Sequence, residues 1–115
     1  MLYFQNQWSS GKGKSFKSIN PLTGEIVWEG NFANASQLNA AMNAAYKSHH
    51  RWSTESIQTR IKIIRKFYAL LEKNKLPMTK LISTETGKTH ADAASEVTAT
   101  LAKLNNSILA YKKRT

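Results

Sequence analysis

The sequence contains no cysteine, only two prolines and five glycines, and seven acidic residues against seventeen basic ones. Without a thiol the chain cannot supply a cysteine nucleophile, a thiolate metal ligand or a redox pair, and nothing marks an oxidising compartment. The shortage of carboxylates leaves a net charge of +10. Such an excess attracts nucleic acid, anionic membrane or acidic partners, but it bears on association and solubility and not on fold. Lys12 and Lys14, Arg60 to Lys66, Lys73 to Lys80 and Lys112 to Arg114 are dispersed along the chain and read mainly as solvated faces. Long apolar runs are also missing. None approaches the roughly 18 residues that cross a bilayer, and no secretory leader pattern opens the sequence, so a cytoplasmic protein with no membrane partner is expected. What remains is 115 residues of ordinary globular composition, 41% hydrophobic. That is one domain or a piece of one, with one modest core.

Residues 1–33 carry strand and turn vocabulary. Leu2, Tyr3, Phe4 and Trp8 flank the turn-prone Asn6, and Ser9 to Lys14, with Gly11 and Gly13, reads as a flexible bend. Phe16–Ile19 and Ile26–Trp28 are β-favouring runs around Asn20-Pro21-Leu22-Thr23-Gly24, a second hairpin. Leu2-Tyr3-Phe4-Gln5 coincides with most of a protease site used in expression tags, so a tag remnant within residues 1–5 is an alternative to a native first strand; the native reading is favoured because aromatic residues followed by Trp8 also make a sensible first strand.

From residue 34 to 115 the period changes to about 3.6, and about four helices are expected. Asn34 and Gln37 make a capping box for a first helix from Ala35 to His50 or Arg51, with Leu38, Met42, Ala45 and Tyr46 on one side and Trp52 plugging the corner after it. A second helix opens at Ser56 and runs to Lys73. Its expected buried stripe is Ile57, Ile61, Ile64, Phe67, Tyr68 and Leu71, with Arg60, Lys62, Lys66 and Lys73 wet. Asn74 is expected to cap a short third helix carrying Pro77 in its first turn, with Met78, Leu81 and Ile82 apolar and Gly87 as its stop. A fourth helix from His90 to Lys112 places Ala94, Val97, Leu101, Leu104, Ile108 and Tyr111 at spacings of three and four, a core face. The expected class is mostly α with an N-terminal β-hairpin region.

Candidate chemistry is sparse. Thr86-Gly87-Lys88-Thr89 looks like the end of a phosphate-binding loop, but the glycine such a loop needs five residues earlier is Ile82, so a helix cap is the better reading. His49, His50 and His90 lack carboxylates at ligand spacing, and metal binding is not expected. Glu85 and Glu96 could form an acid/base pair, although nothing in the sequence gathers them around a cleft. A basic second helix with nearby aromatics permits a stand-alone module for nucleic acid or another anionic partner. Its aromatics share the apolar stripe, which leaves no stacking platform and disfavours nucleic acid.

Asn20-Pro21-Leu22-Thr23-Gly24-Glu25, the Ala-rich helix ending in Trp52, the helix start from Ser56 to Arg60, and Glu85-Thr86-Gly87-Lys88 before a long helix together resemble the N-terminal region of NAD(P)-dependent aldehyde dehydrogenases. Ile26-Val27-Trp28-Glu29-Gly30-Asn31, Ala94-Ser95-Glu96-Val97-Thr98 and the run from Ala110 to Thr115 look most like one branch of that family, which oxidises a semialdehyde in arginine catabolism. The resemblance implies the opening segment of an α/β fold, without its Rossmann-like sheet. It implies that the nucleophilic cysteine, the catalytic glutamate and the Gly-rich dinucleotide turn belong to later parts of such enzymes. Glu85 and Glu96 do not match the catalytic glutamate. No catalytic, cofactor-binding or metal-binding residue is therefore expected here, and NAD(P) is implied only for a complete enzyme. The expected partners are the remainder of the dehydrogenase and further copies of the chain, through helix faces left exposed.

Overall fold

A computed structural model describes residues 1–114. Four short strands precede four helices, in the order β1 (Leu2–Phe4), β2 (Gln7–Ser9), β3 (Ser15–Ile19), β4 (Ile26–Asn31), α1 (Ala35–Thr54), α2 (Ile57–Lys73), α3 (Lys75–Thr86) and α4 (His90–Arg114). The mostly helical class with N-terminal hairpins holds. The chain forms two compact units, Met1–Glu55 and Ser56–Thr115.

In the first unit, β1 and β2 pair antiparallel with Tyr3 opposite Trp8, their rings 5.0 Å apart. Gln5 and Asn6 join them with φ of 53° and 60°, the geometry of a two-residue turn whose twist matches the strands. Strands β3 and β4 pair antiparallel in a second hairpin, with an irregularity at Ser18/Ile19. Its turn is closed by the Gly24 N–H donating to the Asn20 carbonyl at 2.8 Å and the Leu22 N–H donating to the Asn20 side chain at 2.9 Å. Gly24 sits at φ +74°, where a side chain would strain the backbone. Phe16 packs edge-on against Trp28 at 4.9 Å and stacks on Phe32 at 4.3 Å, which gives this hairpin one aromatic face.

The expected flexible bend around Gly11 and Gly13 is instead a close backbone contact. The Gly13 N–H donates to the Phe32 carbonyl and the Phe32 N–H to the Lys14 carbonyl, so the segment runs along the end of β4. A Cβ on Gly11 would lie 2.0 Å from the Asn31 carbonyl oxygen. The expected capping box does more than cap. Gln37 Oε1 accepts from the Asn34 N–H at 3.3 Å and also from the Lys12 N–H at 2.9 Å, while Nε2 donates to the Ser10 carbonyl at 2.9 Å. The Asn34 side chain accepts from the Gln37 N–H at 2.9 Å. Gln37 is buried, and its amide joins the glycine segment to the start of α1.

Helix α1 runs past Arg51 to Thr54, so Trp52 lies within its last turn, 41% exposed, and does not follow the helix. The Ser53 and Thr54 hydroxyls donate to the His50 and Arg51 carbonyls and carry the helix on until Glu55 turns extended. The expected apolar side, Leu38, Met42, Ala45 and Tyr46, is exposed; the partly covered positions are the small residues Ala40, Ala41 and Ala44 beside Gln37.

In the second unit, the Ser56 side chain accepts from the Thr59 N–H and caps α2. Asn74 does not cap α3 with its side chain; its Nδ2 donates back to the Leu70 carbonyl and closes α2. Pro77 is tolerated in the first turn of α3, where backbone N–H groups have no intrahelical acceptor. Gly87 ends α3 in the left-handed region at φ 72°, and three residues later α4 begins. Small side chains let α3 and α4 approach closely. Ala93 and Val97 of α4 are buried, as is Thr79 of α3, whose hydroxyl donates to the Lys75 carbonyl. The rest of the predicted α4 face is partly covered as far as Ile108, while Tyr111 is 44% exposed.

The buried stripe expected on α2 forms only in part. Ile57, Ile61, Tyr68 and Leu71 are half-buried, but Ile64 and Phe67 are exposed, and so are Ile63 and Leu70. A helix with apolar residues on more than one side needs more than one neighbour, and within its unit α2 packs chiefly on α4. The whole chain exposes 9256 Å². A self-contained 13.0 kDa monomer exposes about 6,300 Å², and two fully separate half-size domains about 7,700 Å². The core is incomplete by that measure.

The clamp and the glycine contact each give a stability prediction. Gln37→Leu, which keeps the bulk but leaves the Lys12 N–H and Ser10 carbonyl unpaired, should lower unfolding free energy by about 2 kcal/mol in urea melts followed by circular dichroism. Gly11→Ala should cost roughly 2–3 kcal/mol, because backbone and not a flexible side chain must move; a melt unchanged from the parent chain would contradict the contact.

Candidate functional site

The turn between α3 and α4, which has the appearance of a phosphate loop in sequence, is consumed by capping. The Gly87 N–H donates to the Ser83 carbonyl at 2.9 Å, and the Ser83 hydroxyl donates to the Lys88 carbonyl at 2.8 Å. Thr89 accepts from the Asp92 N–H at 3.1 Å and donates to the Asp92 carboxylate at 2.7 Å, an N-terminal cap for α4 that the sequence reading missed although the Thr-x-x-Asp spacing signals it. The Lys88 ammonium pairs with the Glu96 carboxylate in the second turn of α4. The loop has no free donor fan around an empty cradle; it has two helix ends facing each other.

The other sequence candidates disperse. No group of three or more His, Asp or Glu side chains that could hold a metal ion occurs among the described residues. His49 and His50 lie on α1 and His90 opens α4. Glu96 is engaged by Lys88, so the contemplated pair with Glu85 has one member committed to an ion pair on an exposed surface. Arg60, expected in water, is half-buried, and its Nε finds no hydrogen-bond partner among the described residues. Phe67, expected inside, is 55% exposed, which makes an aromatic surface available after all. Its neighbours at helical spacing are Ile63 and Leu70, so the surface is aliphatic and not a cation-flanked stacking platform.

A recess lies within the second unit, between α2 and the last turns of α4. It is an open groove of about 790 Å³. Ile57, Ile61, Ile108 and Tyr111 give it an apolar floor, and Lys62, Arg65, Lys66 and Lys112 stand along it. No carboxylate is among its lining residues. A shallower recess of about 300 Å³ continues it past Ile64 and Tyr68 toward Leu104. The sequence reading missed the groove because it assigned the isoleucines to a core and the lysines to solvent. The available signal was Lys62 following Ile61 and Lys66 following Arg65, one turn apart. The groove offers an apolar floor with cations beside it, an arrangement suited to covering by another surface.

Comparison with known proteins places this architecture. A model of the aldehyde dehydrogenase family matches residues 8–114. An N-succinylglutamate 5-semialdehyde dehydrogenase from Salmonella schwarzengrund is 43% identical over 114 residues, which is 99% of this chain and 23% of the relative. Among solved structures, an NAD-dependent benzaldehyde dehydrogenase from Corynebacterium glutamicum superposes with a TM-score of 0.82 at 26% identity, covering 89% of this chain and 22% of that one. An aldehyde dehydrogenase from Bacillus subtilis superposes with a TM-score of 0.85 at 23% identity over 93% of this chain and 24% of its own, which shows the shared fold. The chain belongs to the aldehyde dehydrogenase family and corresponds to the N-terminal part of its members. It spans about a quarter of the length of the relatives it matches.

The nicotinamide cofactor this family implies has one sequence candidate here, the Thr86–Thr89 turn, and the turn does not fit it. No strand leads into it, its glycine terminates a helix, and its lysine is held by Glu96. Gly87→Ala should therefore destabilise the chain by about 1 kcal/mol through the left-handed backbone alone. Calorimetric titration with pyrophosphate should give the same near-zero signal before and after the substitution; a signal lost with Gly87 would mean the turn binds phosphate.

Proposed function

We propose that this chain is the opening segment of an NAD(P)-dependent N-succinylglutamate 5-semialdehyde dehydrogenase, an enzyme that oxidises the semialdehyde to the acid in arginine catabolism, and that alone it binds no cofactor and is inert. The observation that carries the reading is the 43% identity maintained over 99% of the chain with a relative of that name. The chemistry agrees with it. Aldehyde oxidation by this family's route needs a thiolate nucleophile and a dinucleotide site, and a chain without cysteine has no thiolate to give. The second unit supplies scaffold: a tightly apposed α3–α4 pair, with apolar side chains of α2 and α4 left for other surfaces to cover. The excess exposed area and the bare faces of α1 and α2 support burial against the remainder of the dehydrogenase. Without that remainder, the faces favour association of copies into a dimer or larger assembly. The cytoplasm is the proposed location; no described helix is long and apolar enough to cross a membrane.

Purified chain mixed with NAD or NADP and N-succinylglutamate 5-semialdehyde should show no rise in absorbance from reduced nicotinamide. Addition of a separately produced polypeptide covering the rest of such an enzyme should restore turnover. Activity from this chain alone would overturn the inert-segment reading.

A further inference from the structure

We draw no further inference here: the strongest candidate, the open groove between α2 and α4 with its apolar floor and its cations, is a face that the proposed function already leaves to the remainder of the dehydrogenase, and nothing in the structure shows any other occupant.

Discussion

The buried amide of Gln37 is the constraint on which the first unit depends. One oxygen serves the Lys12 and Asn34 N–H groups and one nitrogen serves the Ser10 carbonyl, so a single side chain fixes where α1 begins and where the glycine segment passes. Both ends of the amide are used, and a residue with only one kind of polar atom could not do both jobs. The glycines follow from this. With the segment pinned between Gln37 and the carbonyls of Asn31 and Phe32, Gly11 has no room for a Cβ. What composition presents as looseness is a close approach of two backbone segments.

The second unit is organised differently. Its close contact is between α3 and α4, where Ala93, Val97 and Thr79 are small enough to bring the two backbones together. Helix α2 joins through partly covered isoleucines and leaves further apolar residues in water. A segment of a larger enzyme has this character. Its best-packed elements are neighbours in sequence, and the faces meant for distant parts of the fold have no local partner. The same incompleteness explains the half-buried Arg60 with an unmatched Nε and the groove with cations and no acids.

Much of this was legible in the sequence, and the failures share a cause. Capping residues announce themselves locally: Asn34 with Gln37, Ser56 and Gly87 all act where their spacing placed them, because a cap involves only atoms a few residues apart. Periodicity likewise located every helix. Burial was less readable. The stripes of α1 and α2 were assigned to a core on amphipathicity alone, yet Leu38, Met42, Tyr46 and Phe67 are exposed, since periodicity shows which face wants a partner and not whether one is present. The long-range bonds of Gln37 had no sequence signature beyond its place in the capping box. Asn74 stands at the start of α3 where its position placed it, but because it sits at the joint of two helices its side-chain amide reaches backward to α2 and leaves only its carbonyl to α3. The groove was invisible for the opposite reason: two ordinary patterns, an apolar row and a basic row, become one feature only when α4 is set beside them.

The contacts of Gln37 reach back no further than Ser10, 27 positions away. Joining ends across a span of that size costs little more entropy than joining a loop half as long. As the polypeptide leaves the ribosome, the first unit therefore holds everything it needs to close its clamp before α2 has emerged. Helices with uncovered apolar faces would then emerge next to a finished N-terminal piece, not beside a disordered one, which reduces the stretch of chain exposed to wrong pairing during synthesis.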